Sequence, residues 1–350
     1  VERYVEHLTG IGVRSSITTD RKELQHLRPD VVHIVNLDLP AENLANARAA
    51  SAYGARLVLS TIRHPYEGVK SFYTHGDDRL YRRLRKFGIS ASRGVGLREL
   101  IKLGMTRDSA AMVAARDYVE LQGALLSSVD YVLPMAQGEL DSLRSDFTFE
   151  APARVVANAL SFEPSSPGES ERTSDYRYDA MSIGRIEPRK NSLALARIAA
   201  RSPRRVMAFA GQLNQRHPQF VREFLRVVHD SPNIHYLASL PHAQVRTVLA
   251  QSGAYLNPAW FEVVAQADFE AVSLGLPILT TTESYLSDFI TGGGWISPRE
   301  LTKIGDERDG LERLIDRAKP GSLSVRERTW AQVGDELAEI YRELLNSPTT

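Results

Sequence analysis

The sequence predicts an α/β protein built from two doubly wound units in tandem. Three observations carry this. Short aliphatic, β-branched runs alternate with helical stretches through the first half of the chain, and the alternation restarts more clearly in the second half. Between the halves, "FEPSSPGESERTSDYRYD" is rich in Ser, Pro and acidic residues and reads as a linker. A chain of 350 residues suits two domains. The expected division is a first unit over 1–161, a linker over 162–178, a second unit over 179–325 and a closing helix over 326–350 that crosses back to the first unit.

The chain opens on a helix, "VERYVEHLTG", with Val1, Tyr4, Val5 and Leu8 on one face and Gly10 and Gly12 to end it. Val1 is not a methionine, so residues are expected before it. "VVHIVNL" (31–37) and "RLVLSTI" (56–62) are nearly continuous apolar runs, as in strands buried on both faces. "AENLANARAASAYG" between them reads as a helix closed by Gly54. One long helix is expected over "DSAAMVAARDYVELQGALLSSV", then the strand "DYVLPM" and the helix "QGELDSLRSDF". In the second half, strands are expected near "AMSIG", "RVMAFAG", "NIHYL", "AYLNP" and "PILTT", each followed by a helix. "SVRERTWAQVGDELAEIYRELL" is a long amphipathic helix.

Composition narrows the function. Hydrophobic residues are 43% and charged residues 25%, ordinary for a globular protein. Forty-three basic side chains balance 43 acidic ones, which argues against a dedicated nucleic-acid binder. Without cysteine there are no disulfides and no thiolate metal sites. No apolar stretch is long enough to span a bilayer. No His and carboxylate cluster has metal-ligand spacing.

Ligands of open α/β sheets bind outside the carboxyl ends of the strands, so the loops there are the place to look. The first strand of the second unit runs into "SIGRIEPRKNSLALARIAA". Gly184 lets the chain turn closely. Arg185, Arg189 and Lys190 set three cations in one short loop, and Asn191 can cap the next helix. Cations beside a helix N-terminus suit a diphosphate, although the loop also reads as a solvated basic turn. "AFAGQLNQ" repeats the arrangement and places Gly211 on the same rim. In "WFEVVAQADFEAVSLGLPILTT", Glu262 falls in a loop and Glu270 on a helix closed by Gly275. Carboxylates cannot usefully face a diphosphate, but each can accept two hydroxyl hydrogen bonds from a ribose or hexose. Cations on one loop and acceptors on another match a nucleotide-sugar. The plainer alternative is a surface Glu262 and a Glu270 paired with an arginine.

These residues carry a resemblance. Gly184, Arg185 and Lys190, followed by Glu262, Glu270, Ala271, Gly275 and Pro277, resemble the C-terminal domain of retaining glycosyltransferase family 4, of GT-B fold. That family has a Glu-x7-Glu element at this place. "VERYVEHLTG" resembles the family's first helix, which implies that the first strand and a glycine-rich loop precede Val1. Asn158 in "ARVVANALSFEP" matches the segment leading into the interdomain linker. The resemblance implies two Rossmann-like doubly wound domains facing a central cleft, with acceptor binding in the first. It implies that Arg185 and Lys190 bind the donor's diphosphate, that Glu270 holds the ribose, and that Glu262 contacts the transferred sugar. Gly184 and Gly211 line the donor, and the backbone from Leu237 to Leu240 lies beside the base. A histidine after a strand of the first domain sits near the sugar; "LVLSTIRHPYEG" offers His64, with Arg63 next to it, and His75 is a weaker candidate for acceptor contact.

The resemblance implies a hexosyltransferase that retains configuration. It would move sugar from a nucleoside diphosphate sugar, UDP ahead of GDP, to a saccharide or lipid-linked saccharide, in cell-surface polysaccharide or glycolipid synthesis. No cofactor and no metal are expected. Two positions depart from the family: Ala265 and Ala159 stand where glycines are usual, and a methyl at Ala265 would narrow the donor site or shift the sugar. This leaves two alternatives, a catalytically silent GT-B partner protein and a sugar-nucleotide epimerase. "RLYRRLRKF" (79–87) sets Leu80, Leu84 and Phe87 on one helical face among five cations. It reads as a solvated helix, or as a contact to anionic lipid in a cytoplasmic protein peripheral to the inner face of the membrane.

Overall fold

The computed structural model describes residues 2–103, 112–113, 116–159, 176–305, 307–324 and 328–346. The chain folds as two units. The first comprises Val1–His64, Arg83–Ser161 and Glu327–Thr350; the second comprises Pro65–Arg82 and Phe162–Arg326. Most of the expected linker falls on residues 160–175, outside the described residues.

In the first unit, β1 (Val31–Val35), β2 (Arg56–Ser60) and β3 (Tyr131–Leu133) form a parallel sheet in that order. Helix Pro40–Ser51 crosses from β1 to β2, with Pro40 at its start, where a missing N–H costs nothing. Its Ala41, Leu44 and Ala47 pack with Leu57, Leu59 and Val132 in one core. Helix Trp330–Asn346 returns to this unit, and its Val333, Leu337 and Ile340 join Val58 and Leu133 in a second core. The opening helix, Glu2–Gly10, lies beside it, with Tyr4 and Trp330 ring centroids 5.7 Å apart.

The long helix expected over "DSAAMVAARDYVELQGALLSSV" is not one helix. Its described part starts afresh at Asp117, which caps Tyr118–Leu126 in a reciprocal capping box with Glu120. The apolar periodicity of the sequence ran through this cap and hid it.

In the second unit the strands are β4 (Tyr178–Ile183), β5 (Met207–Ala210), β6 (Ile234–Tyr236), β7 (Ser252–Asn257), β8 (Ile278–Thr281), β9 (Ile290–Gly292), β10 (Gly294–Ile296) and β11 (Gly321–Leu323). Six form a parallel sheet in the order β10-β8-β7-β4-β5-β6; β9 and β11 form a separate antiparallel pair. Buried Met207, Phe209, Ala254, Leu256 and Leu279 pack with Leu193, Leu195 and Phe224 of the flanking helices. The chain leaves β4 toward β5 and β6, then returns to lay β7 on the other side of β4. The order therefore reverses between β4 and β7, and the loops that leave their carboxyl ends flank the topological switch point.

Pro65–Arg82 belongs to the second unit, whereas a division at residue 161 assigns it to the first. The reason is packing. Helix Tyr66–His75 buries Phe72 completely, with ring centroids 5.9 Å from Trp260 and 5.8 Å from Phe261. Gly68 permits this approach, since a Cβ there would lie 2.8 Å from Cβ of Phe261. The next helix, Arg79–Lys86, buries Tyr81 and exposes Arg79, Arg82, Arg83 and Lys86. Phe87, expected on its apolar face, is instead 82% exposed. No helix among the described residues is long and apolar enough to cross a membrane.

Candidate active site

Three strand ends of the second unit are stitched side by side. The Gly184 N–H donates to Ala210 O at 2.9 Å, and the Gly211 N–H donates to Ala238 O at 2.7 Å. Leu237, half-buried, donates its N–H to Phe209 O at 2.8 Å. Gly211 sits at φ 142°, and a Cβ there would lie 2.0 Å from Gly184 O. Only glycine allows these two loops to touch. The stem of Lys190 lies over Gly184, its Cε 3.3 Å from where a Cβ would be.

The basic loop is bound up in carboxylates. Glu187, buried, pairs with Arg189 at 3.2 Å and Arg185 at 3.3 Å, and accepts from Asn214 Nδ2 at 2.6 Å. Burial pushes its carboxyl up, but these cations and Asn214 outweigh it and hold the group below the usual carboxylate range. Arg185 remains 58% exposed. Glu262, buried, meets Arg189 on Oε2 at 3.2 Å and Lys190 on Oε1. Glu262 is thus engaged by the basic loop itself, a link the sequence reading did not draw when it set cations and acceptors apart. Asn191 heads helix Ser192–Ala200 but makes no side-chain cap; its Nδ2 donates to Pro258 O at 3.2 Å, tying the loop after β4 to the loop after β7.

Ala265 precedes helix Gln266–Ser273 at φ −90°, ψ 120°, a conformation open to any residue, and its methyl is buried. Glu270, on that helix, is also buried. Between the two glutamates lies Asp268, 1% exposed. It accepts from Asn257 Nδ2 and Thr280 Oγ1, each at 3.1 Å, and burial pushes its pKa up to about 7. Sequence reasoning missed it, although an acid in an apolar stretch was the available signal.

The first unit holds a second polar cluster. His64 pairs through Nδ1 with Asp38 Oδ2 and donates its N–H to the same oxygen at 3.1 Å. Asp38 Oδ1 accepts from Tyr118 OH at 2.6 Å and from Gln122 Nε2 at 3.2 Å. Burial raises the Asp38 carboxyl, but His64 and Tyr118 outweigh it and leave the pKa below the usual range. Arg63, the neighbour of His64, is 1% exposed; it pairs with Asp146 at 2.7 Å and lies over the Phe147 ring. Of the two, His64 is the one with solvent access, 23% of its side chain. His75 is exposed, and its Nδ1 lies 3.2 Å from Ser71 O of its own helix. Buried Glu139 braces the loop that leads to His64, accepting from Thr61 Oγ1 (2.5 Å), Arg63 N–H (2.6 Å) and Met135 N–H (2.7 Å). Burial pushes its pKa up to about 7. Asp38 directly follows the run of β1, the strand-end position where ligands bind, and that is the signal by which it could have been found. Asn158, matched to the interdomain segment, accepts from Tyr4 OH at 2.6 Å, and Ala159 beside it is buried. Among the described residues, no three His, Asp or Glu side chains are grouped to hold a metal ion.

The fold is the α/β GT-B fold of glycosyltransferases. Among the solved structures that match is Anabaena Alr3699/HepE in complex with UDP and glucose. It is 12% identical over 92% of this chain and 80% of that one, with a TM-score of 0.57. An α,α-trehalose-phosphate synthase (UDP-forming) from Burkholderia xenovorans, in complex with glucose-6-phosphate, is 13% identical over 93% of this chain and 73% of that one, TM-score 0.53. The pneumococcal O-GlcNAc transferase GtfA, in complex with UDP and GlcNAc, is 11% identical over 93% and 60%, TM-score 0.50. No protein-family model matches the chain, and no curated protein matches it.

Proposed function

We propose that this protein is a glycosyltransferase that moves a sugar from a nucleoside diphosphate sugar to a saccharide or lipid-linked saccharide, with retention of configuration. The observation that carries the reading is the switch point of the second sheet. There the loop after β4 carries Arg185, paired with Glu187 of the same loop, and brings Lys190 against Glu262 from the loop after β7, on a GT-B fold. The cations suit the donor's diphosphate. Cationic charge on the leaving phosphate is the main electrostatic assistance such a transfer needs. The leaving phosphate itself would take the acceptor's proton in a same-face displacement. Glu270 would accept the ribose hydroxyls and Glu262 would contact the transferred sugar, as would His64, held by Asp38. UDP is favoured over GDP because two of the similar structures are complexes with UDP. The diphosphate's charge would be met by protein cations without a metal.

A thermal-shift panel of UDP, GDP, ADP and TDP and their sugars tests the donor site. At least one nucleoside diphosphate should raise the melting temperature, as any ligand selective for the native state does. Sugar transfer should be lost in Lys190→Ala and Glu270→Ala. Silence across the whole panel would sink the reading. For a lipid-linked acceptor, the exposed Arg79, Arg82, Arg83 and Lys86 would meet anionic headgroups. Co-sedimentation should then occur with anionic vesicles at low salt and not with neutral ones; equal behaviour toward both removes the membrane contact.

A further inference from the structure

The basic loop contains one cation more than the donor reading uses. Arg189 is neither exposed nor directed away from the site. It is anchored at several points: to Glu187 at 3.2 Å, to Glu262 at 3.2 Å, to Phe261 O at 3.3 Å, and over the Phe261 ring at 5.7 Å. Its backbone oxygen also accepts from Trp260 N–H at 2.9 Å. Lys190 reaches the same Glu262 from the other oxygen, on a flexible four-carbon stem laid over Gly184. The two cations therefore share one carboxylate but differ in freedom.

This difference matters when an anion arrives. The Glu262 side chain is 8% exposed. Withdrawing its sole cation would strand a buried charge, which is strongly unfavourable. With two cations on separate oxygens, one can leave. The flexible Lys190 can do so; the locked Arg189 cannot.

We propose that Lys190 exchanges partners on donor binding, passing from Glu262 to the diphosphate, while Arg189 stays on Glu262 and keeps it ionised and oriented. Arg189 is thus a positioning residue that makes the lysine available. The inference rests on the donor-site reading above, because it takes the incoming anion to be a nucleoside diphosphate.

Calorimetric titration with UDP, with GDP, ADP and TDP in parallel, tests it on the full chain. UDP lacks the sugar, so any contact between Glu262 and the sugar stays out of the measurement. Wild type should bind at least one of the four. In Arg189→Met, releasing Lys190 takes from Glu262 both of the cations that meet it here. Affinity should fall at least about tenfold. Arg189→Lys keeps the charge and should bind nearly as wild type does. Arg189→Met combined with Glu262→Gln carries no carboxylate for Lys190 to leave, and should recover affinity. A melting curve on each variant verifies folding. Unchanged affinity in Arg189→Met, or a loss that Glu262→Gln does not recover, overturns the exchange and leaves the donor site standing. Failure of wild type to bind any of the four diphosphates overturns both.

Discussion

Replacing Gly211 with alanine would place a methyl carbon 2.0 Å from the carbonyl oxygen of Gly184 and 2.6 Å from its carbonyl carbon. Both obstacles are backbone, so no side chain can swing aside. The loops after β4 and β5 must part by roughly 1 Å, or the strand ends must shift. Overpacking of this kind costs about 1–3 kcal/mol. The residue also sits at φ 142°, where a side chain is strained by about 1–3 kcal/mol more. Together these come to about 2–6 kcal/mol, and for a domain of this size each kcal/mol lowers the melting temperature by roughly 2–4 °C. A loss of roughly 4–24 °C is therefore expected by circular dichroism or dye-binding melts. The Gly184 to Lys190 loop is the element pushed, so affinity for a nucleoside diphosphate should fall as well. A shift of about 1 Å is enough to cost roughly a hundredfold in a reaction that depends on position. A Gly211→Ala protein that melts within about 2 °C of wild type and binds nucleotide equally well would refute the close approach of the two loops.

Two buried groups of the first unit should give opposite pH dependences. Glu139 is raised from 4.5 to about 7, so its folded state holds the extra proton; its stabilisation is complete below about 4.5 and is lost as pH rises through 7. His33 is lowered from 6.5 to about 4 by burial, with Tyr341 OH at 2.6 Å and Ser60 Oγ at 2.7 Å on its two ring nitrogens. Its stabilisation is complete above about 6.5 and is lost as pH falls through 4. Between about 4.5 and 6.5 the two slopes, each about 1.4 kcal/mol per pH unit, offset one another. Relative to wild type at the same pH, Glu139→Gln should therefore gain melting temperature as pH rises across that window, and His33→Gln should lose it. Parallel melting curves for wild type and both variants would show that neither group titrates as stated.

The fold was readable because parallel strands buried on both faces leave continuous apolar runs. "RVMAFAG" and "PILTT" both became strands of the central sheet. Arg185, Lys190 and Glu262 could be placed for a related reason: they lie just past strand ends. What was not readable depended on contacts distant in sequence. Asp38 meets Tyr118 and Gln122 across about eighty residues, and no local pattern pairs them. The partnership of Arg189 and Lys190 with Glu262 spans about seventy residues and needed the β4–β7 adjacency to appear. Nothing in the sequence of Pro65–Arg82 shows that it packs with the second unit, because Phe72 is an ordinary helix residue there; its place is decided by Trp260 and Phe261.

That last feature bears on how the molecule can be dissected. The second unit is not encoded as one uninterrupted stretch, since helix Tyr66–His75 comes from far upstream. A fragment beginning at the Ser-Pro segment would lack Phe72 and leave Trp260 and Phe261 uncovered, immediately before Glu262. Gene shuffling that swaps the C-terminal half alone would exchange the Glu262 loop without the helix that backs it. Recombination breakpoints that respect this fold must carry residues 65–82 along with the half they pack upon.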